Sequence, residues 1–292
     1  MSPQRMTPLA QLPAGAWRGV AGVFTDIDDT LTTSGAITLD ALRALSALEA
    51  AGLPVIAVTG RPVGWSEPFA LGWPVRAIVA ENGAVLLTRT AAGASPGQPG
   101  VAEEKGLRPF AGGRKQLQKT YQQDAETRRR NFGRLQDAAA RVLREVRGAT
   151  LARDSAGRET DIAIDHSEFM RLSERRIGEV VRILREEGLH ATVSSIHVNG
   201  WIGEHDKWQG ACWAARELLG IDLPAEAARW IYVGDSTNDQ KMFQHFPQSV
   251  GVANIERFVP QLEHLPRWVT AGARGAGFAE VAARLLADRS SA

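Results

Sequence analysis

Gly22-Val-Phe-Thr-Asp-Ile-Asp-Asp-Thr-Leu-Thr32 decides how the rest of the chain is read. The run from Val20 to Phe24 is β-branched and aromatic, as buried strands are, and it stops in three carboxylates, Asp26, Asp28 and Asp29. Strand side chains alternate, so Asp26 and Asp28 are expected on one side of the strand's carboxyl end and Asp29 on the other. Open α/β sheets bind ligands at that end of their strands. Two same-facing carboxylates repel unless a cation lies between them or one keeps its proton, and either outcome is chemistry rather than packing. The competing reading is an Asp-rich turn that caps the next helix.

Outward from this stretch, Thr38 is the expected N-cap of a helix carrying Leu39, Leu42, Leu45 and Leu48 and ended by Gly52. Pro54 to Val58 is continuously apolar, as a strand buried on both faces would be, and it runs into Thr59-Gly60-Arg61-Pro62. A third strand, Arg76 to Ala80, ends in Glu81-Asn82-Gly83-Ala84, and Trp65 lies on a short helical piece between them, where it packs or lines an entrance. Val85 to Thr88 reads as one more strand-like piece. The Gly/Pro/Ser-rich stretch Ala91 to Gly100 then reads as a surface loop and a boundary.

Residues 113–146 read as helical, with Phe132, Leu135, Ala139, Val142 and Leu143 at three- and four-residue steps. The cluster Arg128, Arg129, Arg130 and Arg134 is either a solvated face or an arginine lid over a phosphorylated ligand. Thr160 to His166 alternates as a strand with one wet face, which offers Asp161, Asp165 and His166 to solvent or to a ligand. Leu172 to Gly188 is an amphipathic helix, and His190 to Trp201 alternates again. A helix between two alternating strands suggests a small α+β layer. Asp206 can cap a helix bearing Trp208, Ala211, Cys212 and Ala215. Trp230 to Val233 is a buried strand followed at once by Gly234-Asp-Ser-Thr-Asn-Asp239; short strands at 249–252 and 268–270 and a helix over 278–286 close the chain. The expected fold is α/β: a Rossmann-like, doubly wound parallel sheet formed by residues 1–87 and 201–292, with an α+β cap inserted at 88–200.

The 292 residues are 44% hydrophobic and 23% charged with a formal net charge of +1, so no global field favours nucleic acid or an anionic membrane. Cys212 is the single cysteine, which excludes an intrachain disulfide and a thiolate cluster and leaves a thiol expected to be buried and inert. Met1 to Trp17 has no apolar signal core and no stretch approaches the roughly 20 apolar residues of a membrane span, so a cytoplasmic protein is expected. Only five of the 34 basic residues are lysines, and one of them, Lys207, falls in a helix's first turn. A cation is poorly placed there on dipole grounds, so Lys207 needs an anion or the carboxylates nearby. Carboxylates from two strand ends supply the hard oxygen ligands that Mg²⁺ prefers, an ion that commonly binds substrate phosphate as well.

Asp26-Ile-Asp-Asp-Thr30, Thr59, Lys207 and Gly234-Asp-Ser-Thr-Asn-Asp239, in this order and spacing, resemble the four motifs of the haloacid dehalogenase superfamily of phosphotransferases. Thr59-Gly60-Arg61, Glu81-Asn82-Gly83-Ala84 and the Gly234 to Asp239 loop, with a cap-sized insert between Thr59 and Lys207, look like subclass IIB. That subclass includes sucrose-phosphate, trehalose-phosphate and mannosylphosphoglycerate phosphatases and phosphomannomutase. The resemblance implies that Asp26 is a phosphoryl-accepting nucleophile and Asp28 the acid and base, with Thr59 and Lys207 holding phosphoryl oxygens. It implies Mg²⁺ as cofactor at Asp26, Asp28 (through its backbone carbonyl), Asp235 and Asp239, with Gly60, Arg61, Asn82 and Asn238 around the phosphate. Asp29 departs from the Gly of many members and reads as a turn residue. Specificity is expected from Arg128, Asn131, Arg134, His166, His197 and Asn199. The implied activity is Mg²⁺-dependent hydrolysis of a small, sugar-like phosphomonoester; the alternatives are a phosphomutase and a non-catalytic sugar-phosphate-binding module.

Overall fold

The computed structural model describes residues 5–91 and 115–290; residues 92–100, the expected boundary loop, lie outside them. In chain order come β1 (Thr7–Pro8), β2 (Gly22–Thr25), the short ribbon β3 (Thr32–Thr33) and β4 (Ala36–Ile37), α1 (Leu39–Ala50), β5 (Val55–Val58), α2 (Val63–Gly72), β6 (Ala77–Ala80), β7 (Val85–Ala91) and β8 (Lys115–Tyr121). The middle of the chain forms α3 (Ala125–Glu145), β9 (Thr150–Leu151), β10 (Asp161–Asp165), α4 (Glu174–Glu186), β11 (His190–Val193) and β12 (His197–Trp201). The remainder forms α5 (Lys207–Leu219), α6 (Leu223–Glu226), β13 (Trp230–Gly234), α7 (Gln240–His245), β14 (Gln248–Gly251), β15 (Trp268–Val269) and α8 (Arg274–Ser290).

One large sheet runs β1-β15-β14-β13-β2-β5-β6-β7-β8, parallel as far as β6 and antiparallel across β6–β7 and β7–β8. The continuous apolar runs do what their pattern requires, because successive residues feed opposite cores. Val23, Val55, Ala57 and Ile231 meet Leu45, Leu48, Phe278 and Leu285 of α1 and α8 on one face. Phe24, Ile56, Val58 and Tyr232 meet Ala211, Ala215 and Met242 of α5 and α7 on the other. α1 is capped as its sequence implies, the Thr38 side chain accepting from the Ala41 N–H. Gly83 and Gly210 touch so closely that a Cβ on either would clash with the other's backbone or with Asp206, so α5 begins tight against the turn after β6.

A smaller antiparallel sheet, β11-β12-β10-β9, carries α3 and α4 on one face. Leu135, Val142, Ile164, Val180, Leu184 and Val198 form its core. Two expectations need correcting. The reading of 113–146 as helical is wrong at its start: Lys115–Tyr121 is a strand paired with β7 along its length. Its Leu117, Lys119 and Tyr121 alternate with polar residues at period two, a pattern too short and too polar beside the following helix to stand out. The expected boundary at 88 therefore falls inside β7, and the large sheet keeps β8, which lies within the range expected for the cap.

Candidate active site

β2 ends at Thr25, so Asp26 is the first residue past the strand, its N–H donating to the Val233 carbonyl of β13 (2.8 Å). Asp28 is therefore placed by a turn and not by strand parity, the turn closing with Asp29 at φ 53°. Asp29 does point away from the pair, towards Arg274 (2.8 Å) and Arg257 (2.9 Å). Lys207, 2% exposed, donates from Nζ to Asp26 Oδ1 (2.6 Å) and Asp239 Oδ1 (2.7 Å), which answers why a cation sits in the first turn of α5. The Asp206 side chain caps that helix by accepting from the Gln209 N–H (2.8 Å).

Asp26, Asp235 and Asp239 bring ligand oxygens within 4.8 Å of one another, all buried. Asp239 is saturated: Oδ1 accepts from Lys207 and the Tyr232 hydroxyl, Oδ2 from the N–H groups of Asp235 (2.9 Å) and Ser236 (3.1 Å). Asp235 is not. Its Oδ2 accepts from Asn254 Nδ2 (2.8 Å), while Oδ1 is buried with no hydrogen-bond partner among the described residues. A buried carboxylate oxygen left bare is costly unless a cation fills the gap. Burial, opposed by Lys207 and reinforced by Asp239 and Asp28, pushes the Asp26 carboxyl up to about 8, and burial with Asp26 and Asp239 raises Asp235 well above the carboxylate range. Three buried acids against one lysine fit a divalent cation held by Asp26 and Asp235, with Asp239 orienting Lys207 and the loop.

Thr59 is buried at the end of β5, its hydroxyl accepting from the Arg61 N–H (3.0 Å). Asn82 follows Glu81 in the left-handed region (φ 54° and 50°), an uncommon turn that brings Asn82 Nδ2 to Asp161 Oδ2 (3.4 Å). Asn199 Nδ2 donates to the same oxygen (3.2 Å) and to the Gly60 carbonyl (3.3 Å), and Arg158 Nη1 donates to Asp161 Oδ1 (2.7 Å) and Gly60 O (3.0 Å). Burial pushes Asp161 up to about 7 against the pull of Arg158. Asn238 accepts from the Ser236 hydroxyl (2.9 Å) beside the cluster. The structure thus gathers Asp26, Asp28, Thr59, Gly60, Arg61, Asn82, His197, Asn199, Lys207, Asp235, Asn238 and Asp239 where the polar face of the small sheet meets the carboxyl ends of the large one.

Other expected specificity residues lie elsewhere. Arg128 stacks on Tyr121 (3.4 Å), Asn131 donates to Gln123 (3.2 Å), Arg134 is exposed near Gly188, and His166 Nε2 rests on the Ser194 carbonyl (3.0 Å). α3 packs on the apolar face of the small sheet, remote from the carboxylates. Trp65 packs with Phe69 (4.4 Å) and under Arg61 (4.9 Å). Cys212 is half-buried, its thiol pushed up to about 12 by desolvation. Sequence reasoning passed over Glu81, Asp154, Arg158, Glu168 and Asn254. Glu81 is fully buried and accepts from the N–H groups of Val63, Glu159 and Thr160 and from the Thr160 hydroxyl, tying the two sheets together. Its place next to Asn82 in a four-residue motif was the available signal.

Two clefts flank this meeting. One of about 550 Å³ opens beside Lys207, Asn82 and Asn238 under His190, Thr192 and His205; the other, about 320 Å³, opens beside Asp28 and Arg61 under Ser167, Glu168 and Phe169. A third, between Glu145–Arg147 and Arg175–Ile183, is on the far side of the small sheet. Among the described residues no helix is long and apolar enough to cross a membrane.

Residues 23–93 match the family of haloacid dehalogenase-like hydrolases. The chain is 25% identical over 274 residues to a phosphoglycolate phosphatase of Methanothermobacter thermautotrophicus, covering 90% of this chain and 98% of that one. Its fold resembles the sucrose-phosphatase of Synechocystis, solved with sucrose and phosphate (TM-score 0.59, 14% identity, 92% of this chain and 98% of that one). It also resembles a haloacid dehalogenase subclass IIB sugar phosphatase (TM-score 0.54, 15% identity, 93% and 99%). With the carboxylates, threonine and lysine of the four motifs gathered at the carboxyl ends of the large sheet's strands, the chain resembles the haloacid dehalogenase-like hydrolases in its matched segment and the subclass IIB sugar phosphatase in its fold.

Proposed function

We propose that this protein is a phosphatase that hydrolyses a small, sugar-like phosphomonoester in the cytoplasm with Mg²⁺ as cofactor. The observation that carries the reading is Asp26 held by Lys207 beside an Asp235 oxygen that lacks any partner among the described residues. Asp26 and Asp235, with the backbone carbonyl of Asp28, would hold Mg²⁺, which when bound supplies positive charge against the phosphoryl oxygens. Lys207 and the Thr59 hydroxyl neutralise and orient the remaining oxygens. An Asp26 oxygen attacks phosphorus, the bond to the sugar oxygen breaks, and Asp28 gives that oxygen its proton. Asp28 then takes a proton from water, whose oxygen attacks phosphorus and frees Asp26 and phosphate.

A polyhydroxylated leaving group is favoured by two buried polar atoms walling the larger cleft, Thr192 Oγ1 and His205 Nε2, neither with a partner among the described residues. Burial pulls His205 down to about 4, so it offers a neutral ring and no charge for an anionic substituent. A phosphate-release screen over sugar phosphates, phosphoglycolate and nucleotides, with Asp26→Asn as blank, tests this. Phosphate release from hexose phosphates supports the reading; an isomer formed without phosphate indicates a mutase, and binding without turnover indicates a sensor.

A further inference from the structure

Asp28 does not stand alone as acid and base. Its two carboxylate oxygens accept from Arg61 Nε (both 3.0 Å), and Arg61 Nη2 lies 3.0 Å from Oδ1, so the fork grips the carboxylate along one edge of the guanidinium. The opposite edge is gripped from the small sheet's side: Glu168 Oε1 accepts from Nη2 (2.8 Å) and Asp154 Oδ2 from Nη1 (3.0 Å). Arg61 is 4% exposed and its face lies on Trp65, so it has one place to be. Glu168 is fixed in turn, with Oε2 meeting His197 Nε2 (2.9 Å) and its backbone N–H donating to Asp165 Oδ1 (2.9 Å). Against its own desolvation, His197 and Arg61 draw Glu168 down to about 2, so it is a carboxylate at any working pH.

We propose that Glu168 is a positioning residue for the reaction: from the small sheet it holds Arg61, and through Arg61 it fixes the Asp28 carboxylate in the attitude from which a proton reaches the leaving oxygen. The inference rests on Asp28 being the acid and base. It makes proton donation conditional on the two sheets being seated together, because Glu168, Asp154 and His197 come from one side of the joint and Asp28 and Arg61 from the other. A lone salt bridge spanning two units would only tether them; here the tether ends on the proton donor.

The test separates positioning from binding and from folding. In Glu168→Gln, kcat and KM are measured with p-nitrophenyl phosphate, whose leaving group departs without a proton, and with glucose 6-phosphate, whose leaving group needs one. The expected result is a loss in kcat/KM on glucose 6-phosphate of about tenfold or more, with kcat/KM on the aryl ester, which reports the steps up to aryl release and not the later attack of water, within about threefold of wild type. Asp28→Asn should show the same substrate-selective loss in kcat/KM, only larger. Equal losses in kcat/KM on both substrates would overturn the proposal. If Glu168→Gln does not fold, as read by its thermal melt, Glu168→Asp takes its place, with the same selective loss expected from the shortened reach. Should Asp28→Asn lack selectivity, the reading of Asp28 fails; should it be selective while Glu168→Gln matches wild type, only the role of Glu168 fails.

Discussion

The large and small sheets solve the same problem in opposite ways. In the parallel centre of the large sheet, β2, β5, β6 and β13, both faces are apolar, and the polar side chains of the site come where strands stop: Asp26 after β2, Thr59 after β5, Asp235 after β13. In the small sheet one face is apolar under α3 and α4, and the other carries Asp161, Asp165, His197 and Asn199, all buried. Alternation is usually taken to mean water on the polar side. Here Asp161, His197 and Asn199 are buried because their side lies on the strand ends of its neighbour: Asp161 accepts from Arg158 and Asn82, Asn199 donates to the Gly60 carbonyl, and His197 meets Glu168. A doubly apolar sheet thus puts chemistry at its ends, while an alternating sheet can put it on a face.

The sharpest break of that contrast is at a strand end. Asp26→Asn keeps shape and removes the nucleophilic charge, so turnover should fall on the order of 10⁴-fold or more. The melting temperature should not fall, since one of three crowded buried carboxylates has gone. A variant that kept most of its rate in the phosphate-release assay would move the chemistry away from β2.

Within the small sheet, neighbouring strand positions should divide by face. Ile164→Ala empties part of the core under α3 and α4 and should cost about 2–5 kcal/mol in urea unfolding, with kcat/KM of the remaining folded enzyme unchanged. Asn199→Ala, across the ladder on the other face, should cost only about 1 kcal/mol. It should lower kcat/KM about tenfold, because it takes one of two donors from the Gly60 carbonyl and from Asp161 Oδ2 and so loosens the joint. If both variants lost stability equally and activity not at all, the polar face would be ordinary packing.

Metal and pH probe the strand-end cluster more gently. The folded Asp26 carboxyl stands near 8 against an ordinary 3.8, so between those values the folded protein holds a proton that the unfolded chain has lost. Its contribution to stability is full below the ordinary value and fades as pH rises towards 8. With EDTA, the melting temperature should therefore decline from about pH 5.5 to about pH 8.5 through this group. Mg²⁺ favours the ionised carboxylates, so its stabilisation should be larger at the higher pH, on the order of 4 °C, and should vanish in Asp235→Ala. A Mg²⁺ effect that was independent of pH would place the ion elsewhere.

The strand ends were legible in sequence because their signal is one of abrupt contrast: an apolar run stopped by Asp, Thr or Gly-Asp. Lys207 was legible because a cation in a first turn asks for a partner. The joint was not, since Glu168 and Asp154 sit in irregular segments whose side chains acquire meaning only when another sheet is laid on them. Strand β8 was missed for a related reason: Lys115–Tyr121 is an edge strand with one face towards solvent and too few apolar residues to announce a period. Arg61 was visible as part of Thr-Gly-Arg, yet nothing in the sequence says that its guanidinium faces Asp28 on one edge and Glu168 on the other.

The smallest expected effect concerns the feature that looked most like a phosphate lid. Arg129, Arg130 and Arg134 are exposed on α3, whose buried side is Leu135, Ala138, Ala139 and Val142 against the apolar face of the small sheet. Arginines attract phosphate only where they can approach it, and here a helix and a sheet stand between them and Asp26. Exposed charges of this kind change stability by no more than about 0.5 kcal/mol when truncated. The triple variant Arg129→Ala, Arg130→Ala, Arg134→Ala should therefore keep kcat and KM within about twofold of wild type on glucose 6-phosphate. A rise in KM of tenfold or more would mean that α3 reaches the substrate after all, and that the small sheet presents its helical side to the site at some stage of turnover. Unchanged kinetics would leave the β10 and β12 face, with His197 and Asn199, as the side that meets the phosphate ester.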